Sequence, residues 1–320
     1  MRITKNHNGL YALYASPARL LRGVRKKGSN GCPGNGCPTM QGTGTIRMFN
    51  EMMRAEIWLQ DHVESQQGIE DLASRLGYST SQVRRRFKQC FGLSPSAYRD
   101  ILRLEKAARL LIFTPYPIQT IAARCGYQNH SAFSRAFLRY HNLTPRQYRQ
   151  EQRIRLYRHP YRQEHSGDPP SFEICKLPSR QALVTRLYQH ERESHLDNLR
   201  KLSQNIRGAN ALPERLRQGP GIALIHHLPL DSKVERIDLG PLIDEASTAG
   251  VAIPVSFRLL ELPAQRHACV PIESLDDIPA VVQYLVSEGL PKKRCFASGE
   301  AIRVEWNDSD MTMQLPIHRE

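Results

Sequence analysis

The sequence predicts an all-α double helix-turn-helix domain followed by an α+β domain that repeats a strand-helix-strand-strand unit. Three observations predict it. First, the stretch RLGYSTSQVRRRFKQCFGLSPSAYR (75–99) is echoed about 50 residues later by RCGYQNHSAFSRAFLRYHNLTPRQYR (124–149), both in a background of helical apolar spacing. Second, the texture changes after residue 171, where apolar residues begin to alternate in short runs. Third, charge is unevenly placed in a chain of net charge +14. Residues 1–50 carry eight Lys/Arg and no acid, residues 51–155 carry 17 against nine acids, and residues 156–320 carry 20 against 22.

Residues 1–50 are Gly/Pro/Asn/Thr-rich and are expected to form a disordered basic extension. The apolar patch Leu10–Ala15 is broken by Pro17 and Arg19, too early for a signal-peptide core. The helical region is bounded at 51–152. Ile57, Trp58 and Val63 open a first helix, and Ile69, Leu72, Ala73 and Leu76 form the i, i+3, i+4, i+7 face of a second, ended by Gly77. Ser79 and Gln82 fit a capping box that launches a third helix with Val83, Phe87 and Phe91 inward. Ser94-Pro95 starts a long helix to about Ile112. Thr114–Ile118 breaks it. Ile118, Ile121 and Ala122 make a short helix ended by Gly126, Asn129 caps the next, with Phe133, Phe137 and Tyr140 inward, and Thr144-Pro145 repeats the Ser94-Pro95 device. The echo is offset by 49 at Gly77/Gly126 and by 50 from Arg85/Arg135 onward, so the second copy has one extra residue in its turn or early helix.

Residues 153–171 read as a charged, Pro-containing linker, and 172–320 as the α+β domain. Strands are expected at 172–177, 182–188, 221–227, 234–239, 301–306 and 311–317, with helices at 195–206 and 278–288. The segment 257–272 resembles 172–187, with Leu-Pro at 177–178 and again at 262–263, which suggests a duplication.

A helix-turn-helix sets the start of its second helix in a DNA major groove. The outward side chains there are Ser81, Gln82, Arg84, Arg85 and Lys88 in the first copy, and His130, Ser131, Ala132, Arg135 and Arg139 in the second. Arg pairs bidentately with guanine, and Arg and Lys neutralise phosphates. Lys88 and Arg139 fit phosphate better than base. An arginine run is often only a solvated face. Its repetition at Arg85 and Arg135 is what favours a polyanion partner, double-stranded DNA. There is no run of 18 apolar residues, so no membrane span is expected. Seven cysteines, an odd number without a paired framework, fit a reducing cytoplasm. Cys32 and Cys37 lack a second pair of ligands nearby and adjacent His226-His227 would point to opposite strand faces, so neither a metal nor another cofactor is expected. Phosphate-loop, zincin and nucleophile-elbow motifs are missing, so no enzyme is expected.

On these residues, above all Gly126–Arg149, the region 57–150 resembles the DNA-binding domain of AraC/XylS-type transcription regulators. The resemblance implies two recognition helices in successive major grooves, spaced ~34 Å by the joining helix. It implies base contacts from Ser81, Gln82, Arg84 and Arg85, and from His130, Ser131 and Arg135. Similar activators often carry a large side chain where this chain has Ser81. The domain order is similar to the right-origin-binding subgroup, whose second domain is a gyrase-inhibitor-like effector fold. That implies a cleft for a small amphipathic or cationic effector, with Tyr188, Tyr284, Glu305 and Trp306 as candidate ligand-binding residues, although Thr312 stands where such domains often have Glu. It further implies recruitment of RNA polymerase, a nucleoid-associated cytoplasmic location, and action as a monomer. Two other readings remain: an architectural or origin-binding DNA protein without ligand control, and a C-terminal hydrolase using Glu305 as acid/base.

Overall fold

The computed structural model describes residues 43–65, 67–158, 168–189, 212–216, 219–226, 235–244, 252–254, 256–307 and 310–319. Two compact units divide the chain between Arg103 and Leu104.

The first unit contains α1 (Thr43–Asp61), α2 (Ile69–Leu76), α3 (Thr80–Phe91) and the beginning of α4 (Pro95–Phe113). α1 starts well before Ile57, because Phe49, Met52 and Met53 already lie at helical spacing and are buried. So 43–50, expected to be disordered, belongs to a helix. Gly77 ends α2 in the left-handed region at φ 70°, a conformation costly for other residues. Ser79 then caps α3, accepting from the Gln82 amide at 3.3 Å, while Gln82 Oε1 accepts from the Ser79 amide at 3.0 Å. The buried face of α3, Val83, Phe87, Cys90 and Phe91, packs edge-on against Tyr98 of α4, with Phe87 and Tyr98 rings 5.4 Å apart at 76°. Tyr98 donates to the buried Glu56 of α1 at 3.1 Å.

The second unit holds the rest of α4, α5 (Ile118–Arg124), α6 (His130–His141), α7 (Pro145–Arg158) and all the strands. The devices of the first unit recur. Asn129 caps α6, accepting from the Ser131 amide at 2.7 Å. Phe137 meets Tyr148 at 5.3 Å and 79°. Arg149 donates to the carbonyls of Leu111 and Tyr116, and Arg153 to that of Thr114, supplying partners to the carbonyl end of α4 and the segment after it. α7 runs to Arg158, into the stretch expected to be linker. Leu156 lies on the helix there and packs on the core.

Nine described strands form a curled antiparallel sheet: β1 (Glu173–Leu177), β2 (Arg180–Gln189), β3 (Gly221–Ile225), β4 (Glu235–Ile243), β5 (Arg258–Leu262), β6 (Gln265–Pro271), β7 (Cys295–Ala297), β8 (Ile302–Trp306) and β9 (Met311–Arg319). The order is β1-β6-β9-β8-β3-β4-β2-β5, with β7 on β9. It reads the same from both ends if β1–β4 are matched to β5, β6, β8 and β9, and the matched edge strands β1 and β5 each pair with the other half. α8 (Ile278–Tyr284) continues through a π-helical turn, Leu285–Gly289, and a last α-turn, Leu290–Lys292. The helix expected at 195–206 lies outside the described residues.

One sheet face, through Leu183, Ala223, Leu239, Ala268, Val304 and Leu315, shares a core with α4–α8. Arg109 donates to the Gly299 carbonyl at 3.0 Å, Glu105 pairs with Arg236, and Tyr116 meets Phe296 edge-on at 5.6 Å. The opposite face carries a smaller apolar cluster, Ala182, Val184, Ile222, Leu224, Leu242 and Leu262, flanked by charged residues.

Candidate nucleic-acid interface and effector face

Burial on one side of α3 dictates what the other side presents. Ser81, Gln82, Arg84, Arg85 and Lys88 are all exposed. Four of them, Ser81, Arg84, Arg85 and Lys88, stand at i, i+3, i+4 and i+7 and so form one stripe. The third arginine of the run is employed differently. Arg86 pairs with Glu51 at 3.4 Å and lies 4.3 Å over the Tyr78 ring, while Tyr78 donates to the same Glu51 oxygen at 2.6 Å. Arg86 thus ties α3 to α1, a role that the run itself did not announce.

On α6 the exposed residues are His130, Ser131, Arg135, Leu138 and Arg139, with Ala132 half-buried. The stripe matching that of α3 is Ser131, Ser134, Arg135 and Leu138. Leu138 is 44% exposed and stands where α3 has Lys88. Sequence reasoning passed over it, although counting 50 residues on from Lys88 finds it.

The four candidate ligand residues do not converge. Trp306 and Tyr284 are buried in the helix-side core; the Trp306 ring lies over Gly221, where a Cβ would approach it to 2.3 Å, and Tyr284 meets Phe172 edge-on at 6.4 Å. Tyr188 is half-buried near the end of β2. Glu305, one residue from Trp306, points to the opposite face, as successive strand residues must. There it takes a bidentate pair from Arg180 (3.1 and 2.9 Å) and a hydrogen bond from Gln314 Nε2 (2.9 Å).

A second charge cluster on that face surrounds Asp238, which is fully buried. Arg186 binds it bidentately (2.7 and 3.0 Å), Arg258 donates at 2.7 Å and His226 Nε2 donates at 2.8 Å. Burial alone would raise the Asp238 carboxyl; Arg186, the His226 hydrogen bond and Arg258 outweigh it and hold the group well below the usual carboxylate range. Burial pushes His226 down to about 4, against the pull of Asp238, so its ring is neutral. His227, Cys32 and Cys37 lie outside the described residues. Among the described residues, no three His, Cys, Asp or Glu side chains are placed to hold a metal ion, and no helix is long and apolar enough to cross a membrane.

Residues 72–151 match the family described as a helix-turn-helix domain. The HTH-type transcriptional regulator MtrA of Neisseria gonorrhoeae is 37% identical over 91 residues, 28% of this chain and 30% of that protein. The HTH-type transcriptional activator RhaS of Salmonella paratyphi B is 36% identical over 108 residues, 34% of this chain and 38% of that one. The chain therefore spans about a third of the length of these curated relatives. Among solved structures, the DNA-binding domain of AdpA in complex with a target DNA is similar at 30% identity and a TM-score of 0.32, covering 33% of this chain and 95% of that one. An AraC-type regulator from Chromobacterium violaceum is similar at 31% identity and a TM-score of 0.31, covering 35% and 96%. Residues 72–151 are thus a helix-turn-helix domain. The domain is of the AraC type.

Proposed function

We propose that the chain is a sequence-specific, DNA-binding transcription regulator that reads two successive major grooves with α3 and α6. The observation that carries this is the exposed stripe Ser81, Arg84, Arg85 and Lys88 opposite a fully buried aromatic face, with Ser131 and Arg135 at the matching places of α6. Gln82 and His130 flank the stripes at the helix starts, where side chains reach base edges. Lys88 and Arg139, farther along, serve phosphates. Two readers in one chain let a monomer grip an asymmetric site ~34 Å long between reader centres.

The sheet region, 172–320, serves in this reading as a duplicated, gyrase-inhibitor-like domain that senses a small molecule, and contact with RNA polymerase converts DNA binding into regulation. The symmetric strand order and the polar groups set into an apolar sheet face support the sensing role. Selection of bound sequences from random duplexes by the full chain tests the DNA reading. An asymmetric consensus with two blocks one helical turn apart is expected. Recovery of sequences without any consensus would favour an architectural or origin-binding protein instead.

A further inference from the structure

The face of the sheet away from the helices has an unusual accounting of polar atoms. On β6, β8 and β9, pairing brings Gln314 opposite both Cys269 and Arg303, with His267 two residues from Cys269 on the same face. Arg180 arrives from β2, three strands from β8, where a flat sheet would separate the two strands by ~14 Å. The curl of the sheet brings its guanidinium to Glu305.

Three atoms in this patch are buried without a partner: Arg180 Nε, His267 Nε2 and Gln314 Oε1. His267 is 0% exposed and Gln314 4%. A buried polar atom without a hydrogen bond is costly, and three of them in one patch mark a place where something polar belongs.

Their chemistry states what that is. Arg180 Nε–H can only donate. His267 Nδ1 lies 3.2 Å from the Gln265 carbonyl, which can only accept, so Nδ1 carries the proton and Nε2 is a bare acceptor. Burial, with Arg303 adding to it, lowers His267 to about 4 and keeps the ring neutral. Gln314 Nε2 is spent on Glu305, leaving Oε1 as an acceptor. Cys269 beside them stays a neutral thiol, its pKa raised by burial first and by Cys175 second. The unfilled demand is therefore two donors and one acceptor, without charge.

Resting on the sensing role proposed above, we propose that this face binds a small uncharged urea- or amide-type molecule, with its carbonyl on Arg180 Nε and its N–H groups on His267 Nε2 and Gln314 Oε1. The cluster Ala182, Val184, Ile222, Leu224, Leu242 and Leu262 on the same face takes the apolar part of the ligand. An organic cation does not suit the site. Glu305 is the carboxylate that would receive it, and Arg180 already occupies both its oxygens. The other acids at this face are exposed: Glu173 stands opposite Cys269 on the edge strand β1, and Glu300 accepts from Gln265 at 2.6 Å, while Arg303 would repel a cation.

Phenylurea and phenylguanidinium have the same shape and differ by a carbonyl against a charged C–NH2 group, so they test the claim when titrated into the full chain. Phenylurea is expected to bind at least about tenfold tighter, which corresponds to about 1.4 kcal/mol. It should shift the imidazole 15N resonance of His267, a readout on the unaltered protein. Arg180→Gln, which frees Glu305, should reverse the order of the two ligands, and Gln314→Leu should weaken phenylurea. Equal or tighter binding of phenylguanidinium to the unaltered chain overturns the proposal, as does phenylurea binding that leaves the His267 resonance in place. If neither compound binds, the urea-type site is wrong. A set of neutral, anionic and cationic fragments then separates the two claims: perturbation elsewhere in 172–319 leaves sensing standing, and none at all removes sensing too.

Discussion

The two helical segments that echo each other in sequence, α2 to the start of α4 and α5 to α7, are alike where they are buried and unlike where they are exposed. Phe87 on Tyr98 and Phe137 on Tyr148 are nearly superimposable contacts, 5.4 and 5.3 Å apart at 76° and 79°. The outer stripes diverge: Ser81, Arg84, Arg85 and Lys88 carry three positive charges, whereas Ser131, Ser134, Arg135 and Leu138 carry one. Their surroundings differ as well. The first copy closes its core with α1, while the second shares a core with the sheet. The buried ring contacts are thus shared, while charge and packing partners differ.

The largest effect should come from testing the shared scaffold. Phe87→Ala and Phe137→Ala each remove a fully buried ring and should cost about 3–5 kcal/mol, measured by denaturant unfolding. If the copies are independent in their cores, only Phe137→Ala should also loosen the sheet, visible as faster amide exchange in β3 and β8. Equal exchange in both variants would break the contrast.

Acid should separate the units next. Among the described residues, the histidines with lowered pKa, His141, His226 and His267, all belong to the second unit. A histidine depressed on folding contributes stability that is complete above its unfolded value near 6.5 and is lost as pH falls towards its folded value, here about 4 for His226 and His267. The second unit should therefore melt at lower temperature at pH 5 than at pH 7, and the first unit should change less. Residue-resolved thermal unfolding by NMR reads this directly.

Arg85→Ala and Arg135→Ala should each cost about 1–3 kcal/mol on the selected site and relax base preference in one block only. Losses of equal size on random duplex would assign both side chains to phosphate. The smallest effect concerns the stripe's last position. Lys88→Ala should reduce the slope of log affinity against log salt by about 0.9, and Leu138→Lys should raise it by about as much. Unchanged slopes would place these positions away from the DNA backbone.

The helical half was legible because its signals are local. Gly77, Ser79, Gln82, Asn129 and the Ser/Thr-Pro starts act within a few residues, and each appears in the structure as its chemistry requires. The start of α1 was missed because the Gly/Thr-rich stretch before it outweighed the apolar spacing from Phe49 to Met53. In the sheet, strands could be placed by alternation, but their neighbours could not. Arg180 and Glu305 meet from 125 residues apart, and only the curl of the sheet brings them together. Tyr284 and Trp306 looked like cleft residues because aromatics next to an acid suggest a ligand. Strand parity, once the register is known, puts Trp306 and Glu305 on opposite faces.

The exchange of edge strands between the two halves of the sheet has a consequence for synthesis. Among the described residues β1 pairs with β6 alone, so the strand leaves the ribosome about 90 residues before its partner exists, a wait of roughly 5–18 s at ordinary elongation rates. For that interval Ile174 and both free edges of β1 are open to other chains. The isolated first half would keep β1 without its neighbour, so synthesis of the second half is what closes this edge of the sheet.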